Sequence, residues 1–142
     1  MDFETGIVIS LLARIREKAH RFITDELKRH GITGLAPVHG DVLVALFFHN
    51  ELTMKQIAEI VDRKKSTVTT LVEKLVRLGY AEKAQDPEDN RSFRISLTKK
   101  GRGLKESLVD ISNQLQLKVY KGMPMAERKQ LVKSLKAINE TW

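Results

Sequence analysis

Hydroxyl and cationic side chains recur along residues 65–77 in a pattern suited to recognising a polyanion. Ser66, Thr67, Thr69 and Thr70 are interleaved with Val68, Leu71, Val72 and Leu75, and Lys65, Lys74 and Arg77 flank them. On a helix the apolar set shares one side, leaving the polar set on the other. Hydroxyls bond phosphates and base edges, threonine methyls touch thymine, and the cations add attraction. A further cation, Arg91, closes the run Asp86-Pro87-Glu88-Asp89-Asn90, which is turn chemistry. At a hairpin tip an arginine fits a narrow minor groove, where negative potential is concentrated. Asp86, Glu88 and Asp89 would repel phosphate there, unless Asp89 orients Arg91 or the acids form the solvent side of the turn. A tip salt bridge is the competing use of Arg91.

The elements that must hold these residues follow from periodicity. Residues 7–30 predict one long helix, with Val8, Leu12, Ile15, Ala19, Phe22 and Leu27 near helical spacing and Gly31 and Gly34 ending it. Pro37 suits a first turn, and Val38–His49 predicts a short, apolar, buried helix. Asn50-Glu51-Leu52 connects it to a helix opened by Thr53, where Thr53 and Gln56 form a capping box. Met54, Ile57, Ala58 and Val61 are its apolar face. Asp62-Arg63-Lys64 makes the turn, with Asp62 as a candidate cap for the helix from about Lys65 to Leu78. Gly79 stops that helix. Tyr80–Gln85 and Arg91–Leu97 predict two strands, the second alternating Phe93, Ile95 and Leu97 with polar residues. Thr98 caps a long helix from about Lys99 to Lys121, with the stripe Leu104, Leu108, Ile111, Leu115 and Val119 near heptad spacing. Gly122 breaks it, and Pro124 opens a last helix carrying Leu131, Leu135 and Ile138.

The reading is mainly α with a small β-hairpin wing: a helix-turn-helix followed by a wing, in a single 142-residue domain. Charge agrees with it. The chain carries +7, and residues 62–102 hold 11 Lys/Arg against 6 Asp/Glu, so most of the excess sits on the segment expected to meet DNA. The stripes on the terminal helices exceed what one lobe covers, which predicts a homodimer.

Other chemistries find little support. There is no cysteine, which removes disulfides, thiol nucleophiles and thiol redox sensing. His20, His30, His39 and His49 show no HxH or HxxxH spacing, so no metal site is expected. No glycine-flanked nucleophile or phosphate loop is present, and neither enzymatic activity nor a cofactor is expected. Apolar runs such as Val42–Phe48 are too short for a bilayer, and no leader pattern precedes the first helix, so a cytoplasmic location is expected.

The core resembles the MarR family of winged-helix transcription regulators. The residues that carry it are Leu-Thr-Met-Lys-Gln-Ile-Ala (52–58), Lys-Ser-Thr-Val-Thr-x-Leu-Val-x-Lys-Leu (65–75), Leu-Gly-Tyr (78–80), Asp-Pro-Glu-Asp-x-Arg (86–91) and Leu-Thr-x-x-Gly (97–101). The resemblance implies a DNA-binding lobe over about residues 35–101, with dimerisation helices in 1–34 and 102–142. It implies a homodimeric, ligand-responsive repressor on a palindromic operator in double-stranded DNA. It implies that Ser66, Thr67, Thr69 and Thr70 read DNA from the helix and that Arg91 reaches the minor groove from the wing; Lys65 and Lys74, on the same helix, are expected to join the DNA-binding set through their charge. A small-molecule effector is implied between the dimer helices and the lobe, with no residue identifying it. The chain departs from many members at Lys64, Thr70 and Asn90, where an acidic or small cap and two arginines are common. The alternative function is a winged-helix adaptor that binds protein or RNA.

Overall fold

The computed structural model describes residues 2–142. A single helical turn, α1 (Phe3–Gly6), is capped by Asp2, whose carboxylate accepts the amide of Glu4. The long helix α2 (Val8–Arg29) follows, then α3 (Pro37–Phe48), β1 (Leu52–Thr53), α4 (Met54–Val61) and α5 (Lys65–Arg77). Strands β2 (Ala81–Gln85) and β3 (Phe93–Leu97) form the hairpin, and α6 (Lys99–Arg102), α7 (Lys105–Val119) and α8 (Met125–Glu140) complete the chain.

Local chemistry accounts for most boundaries. Pro37 starts α3, and the buried imidazole of His39 accepts the Ala36 amide at 2.9 Å, a capping interaction made by a ring nitrogen. At α4 the expected box is present: Thr53 Oγ1 accepts the Gln56 amide at 3.2 Å, and Gln56 Oε1 accepts the Thr53 amide at 2.9 Å. Gly79 ends α5 with φ of +82°, a conformation that favours glycine.

Three boundaries differ from the sequence expectation. The sheet has three strands in the order β1-β3-β2, because Leu52 and Thr53 pair with Ile95 and Arg94. The expected helix over 99–121 is two helices, with Leu104 turning through a bond from its amide to the carbonyl of Gly101. Asp62 does not cap α5. It ends α4 in the left-handed region, with φ of 52°, and Lys64 precedes α5 without a side-chain cap. Aspartate tolerates that region better than most residues.

The main core joins α3, α4, α5 and the sheet. Val42, Leu43, Ile57, Val68, Val72, Leu75 and Ile95 are fully buried there. A smaller cluster, Leu27, Ile32 and Ile111, holds the C-terminal end of α2 against α7. The N-terminal half of α2 leaves this support. Its stripe runs from buried Leu27 through half-buried Phe22 to exposed Ile15, Leu12 and Val8. Helix α8 buries none of its residues, and Leu131, Val132, Leu135 and Ile138 lie exposed along it.

Candidate nucleic-acid interface

Helix α5 docks to the lobe through Val68, Leu71, Val72 and Leu75, all buried. That leaves Lys65, Ser66, Thr67, Thr70, Glu73 and Arg77 exposed, with Thr69 and Lys74 half-buried at the margins. The hydroxyls are not equivalent. Thr69 Oγ1 donates to the Lys65 carbonyl at 2.9 Å, and Thr70 Oγ1 donates to the Ser66 carbonyl at 3.2 Å. Their protons are engaged within the helix, so towards a ligand they act as acceptors. Ser66 and Thr67 make no such bond among the described residues and keep both roles. Glu73 is an acid on an otherwise neutral or basic face, and the sequence reading passed over it.

The C-terminal end of α5 is held from three residues of one segment. Thr98 Oγ1 bonds the carbonyl of Gly79, Lys100 Nζ donates to the carbonyl of Leu78 at 2.8 Å, and Gly101 lies tight against Tyr80. The Lys100 ammonium also sits 4.7 Å from the centre of the Tyr80 ring. A cation at a helix C-terminus meets the unpaired carbonyls and the negative end of the helix dipole.

In the wing, β2 and β3 pair from Ala81↔Leu97 to Gln85↔Phe93. Asp86 donates its amide to the Ser92 carbonyl at 2.9 Å, and the Ser92 amide bonds the Asp89 carbonyl at 3.0 Å, closing the tip. Asp89 accepts the backbone amide of Arg91 at 3.0 Å, so it shapes the turn without pairing with the guanidinium. Arg91 is exposed and has no ion pair among the described residues. Asp86 is not on the solvent side of the turn, one of the two placements considered for the tip acids: it is 8% exposed, and its carboxylate accepts the Glu88 amide at 3.0 Å.

The arginine that does pair is Arg94, on which the sequence reading placed no role. Its Nη1 lies 3.3 Å from Glu51 Oε2, and its Nε lies 3.5 Å from Asp86 Oδ1. The hydrogen bond to Glu51, then the charge of Asp86, push its guanidinium further into the protonated state. The available signal was its position on the polar phase of an alternating strand, which does not show its partners. On the same hairpin the Lys83 ammonium lies 4.7 Å from the centre of the Phe93 ring.

Beside α5 a cleft of about 670 Å³ is lined by Arg16 and His20 of α2, Val38 of α3, Asp62, Arg63 and Lys64 of the turn, and Thr67 of α5. Arg16, Arg63 and Lys64 give this wall three cations against one acid, Asp62. Among the described residues no three His, Asp or Glu side chains gather as a metal site.

The sequence profile of the MarR family matches residues 30–92, which spans α3, the helix pair and the wing tip. The transcriptional regulator SarZ of Staphylococcus epidermidis is 33% identical over 92 residues, covering 65% of this chain and 60% of that protein. SarZ of Staphylococcus aureus is 30% identical over 105 residues, covering 74% of this chain and 66% of that protein. The chain belongs to the MarR family. This MarR-family chain spans about 60% of the length of the first of these curated relatives. Solved structures agree in fold. BpsR of Bordetella bronchiseptica, whose DNA binding is regulated by 6-hydroxynicotinic acid, superposes with a TM-score of 0.83 at 23% identity, over 95% of this chain and 94% of that one. A mutant of MarR from E. coli complexed with operator DNA gives 0.81 at 20% identity, over 97% and 99% of the two chains.

Proposed function

We propose that this MarR-family protein is a DNA-binding transcriptional regulator: a homodimeric repressor on a palindromic operator, released by a small ligand. The observation that carries the DNA reading is the pairing of two surfaces. The outward face of α5 presents Lys65, Ser66, Thr67, Thr70 and Arg77, and Thr69 and Lys74 at its margins, while the adjoining wing presents Arg91, which has no ion pair among the described residues. Side chains of this type meet base edges from a helix in the major groove, and an arginine from the wing meets the minor groove. A relative of the same fold in complex with operator DNA supports this use of the scaffold.

The homodimer is supported by exposed apolar rows at both ends of the chain, on α2 and on α8. Contiguous exposed apolar surface marks an interaction site. Two lobes related by a two-fold axis would require an operator with matching symmetry. The ligand reading rests on the cleft beside Thr67. A molecule seated there touches both α2 and the reader helix, and Arg16, Arg63 and Lys64 favour an anion. The regulation of BpsR by a carboxylic acid supports that class.

The test is fluorescence anisotropy with a labelled duplex selected from a random pool by the protein itself. Binding should weaken steeply with salt and fall in the presence of an aromatic carboxylate such as 6-hydroxynicotinate. Indifference to every duplex, with retention on RNA or protein, would favour the adaptor reading instead.

A further inference from the structure

We propose that Arg94 is the positioning residue of the wing: it sets the pose from which Arg91 is presented to DNA, without touching DNA itself. The inference rests on the proposed DNA contact of Arg91.

The hairpin joins the helix pair through little backbone. Strand β1 supplies two residues, Leu52 and Thr53, paired with Ile95 and Arg94. Buried Ala81, Ile95 and Leu97 anchor the base of the hairpin in the core, but beyond Arg94 the hairpin has no backbone ladder except its own. Arg94 adds two further points of attachment. Glu51 immediately precedes β1 and the capped start of α4. Asp86 immediately follows β2, and its carboxylate and amide build the tip turn through Glu88 and Ser92. A single planar guanidinium thus spans from the frame of the helix pair to the base of the tip.

The same surroundings argue against a direct grip on phosphate. Glu51, Asp86 and Glu88 all bear on Arg94, so its local field is negative. Its Nε is buried and, at 3.5 Å from Asp86, makes no hydrogen bond, so that contact is ionic. Neutralising Asp86 also lowers the repulsion the acidic tip would offer to a phosphate backbone. Arg91, three residues along on the open side of the tip, carries no such partner among the described residues.

A double-mutant cycle separates positioning from contact. The probe is the labelled duplex selected by the wild-type protein. Arg91→Ala should weaken binding roughly tenfold, and Arg94→Ala roughly three- to tenfold. In the Arg91→Ala background, adding Arg94→Ala should change affinity less than about twofold, because a mispositioned tip no longer carries a contact to lose. A full, additive loss in the double variant would overturn the inference. If Arg94→Ala fails to fold by circular dichroism, Glu51→Ala replaces it, with a smaller loss expected and the same disappearance in the Arg91→Ala background. A wild-type protein that binds no duplex would instead defeat the proposed function. Duplex binding that Arg91→Ala leaves intact would defeat the wing contact, and the inference with it.

Discussion

The hydroxyl of Thr98 donates to the carbonyl oxygen of Gly79, the residue that ends the reader helix. The same hydroxyl accepts the Gly101 amide at 3.1 Å and so caps α6. One side chain therefore ties the C-terminal end of α5 to the start of the following helix. The Leu-Thr-x-x-Gly run is a clamp on the reader helix.

The glycine of that clamp sets the first prediction. A Cβ at Gly101 would stand 1.9 Å from the Tyr80 carbonyl oxygen, a backbone atom that also accepts the Thr98 amide. It cannot move without breaking that bond. Gly101→Ala should cost stability at the upper end of about 1–3 kcal/mol, read from the urea midpoint at unchanged m-value. Gly103→Ala, whose Cβ would meet the Lys100 carbonyl oxygen at 3.3 Å, should cost much less.

The exposed rows predict a dimer that can be broken without unfolding the lobe. Leu12 and Leu135 stand at least a third exposed on α2 and α8, remote from the core of α3, α4, α5 and the sheet. Leu12→Glu or Leu135→Glu should leave the lobe folded while light scattering falls from the dimer mass to the monomer mass. A wild-type protein already monomeric at micromolar concentration would defeat the dimer and the palindromic operator together.

Two histidines give stability opposite dependences on pH. Burial, then the charge of Lys74, pushes His39 below its ordinary 6.5, so its neutral form is favoured in the fold. Its stabilisation is present above that value and lost as pH falls through the depressed one. His30 is raised, first by its bond to the Glu26 carbonyl. Both ring nitrogens face acceptors, the Glu26 carbonyl at 2.8 Å and Asp110 at 3.2 Å, with the Glu26 carboxylate at 4.0 Å. Its stabilisation is present below 6.5 and lost as pH rises through the raised value. His39→Gln keeps an acceptor for the Ala36 amide and should remove the acid loss, while His30→Ala should flatten the alkaline side. Urea midpoints measured from pH 5 to pH 8 check both.

Much of this architecture was legible in the residues because its determinants are local. The box of Thr53 and Gln56, the stripe of α5, the stop at Gly79 and the alternation of Ile95 and Leu97 each act within one element. What escaped is tertiary. Two residues, Leu52 and Thr53, show no period, and become a strand only because β3 lies beside them. The leucine stripe begins at Leu104, the residue that precedes α7, and α6 carries none of it, so the stripe gave no sign of the break between the two helices. The heptad-like stripe of α7 divides in use: Ile111 is core within the chain, whereas Val119 is exposed. At the interface the sequence marked Arg91 but could not show that Arg94 holds both Glu51 and Asp86. Nor could it show that Thr69 spends its proton on its own helix.

That last difference sharpens the division of labour across the reading surface. Thr67 is exposed and keeps a free donor and acceptor, whereas Thr69 is half-buried with its hydroxyl donated to Lys65. Thr67→Ala should relax preference at particular bases by about 1–3 kcal/mol where a good contact is lost. Thr69→Val preserves a methyl and the approximate shape; it removes the bond donated to the Lys65 carbonyl and, towards DNA, only an acceptor, so its effect on preference should be smaller. Neither should alter the salt dependence. Arg91 is the opposite case: it has no ion pair among the described residues, and in the proposed complex its loss would remove counterion release. Arg91→Ala should weaken binding to selected and scrambled duplexes alike and lower the slope of log K against log salt by about one unit. Titrations of each variant against both duplexes at several salt concentrations separate the two roles. An unchanged slope and affinity for Arg91→Ala would leave recognition to α5 alone.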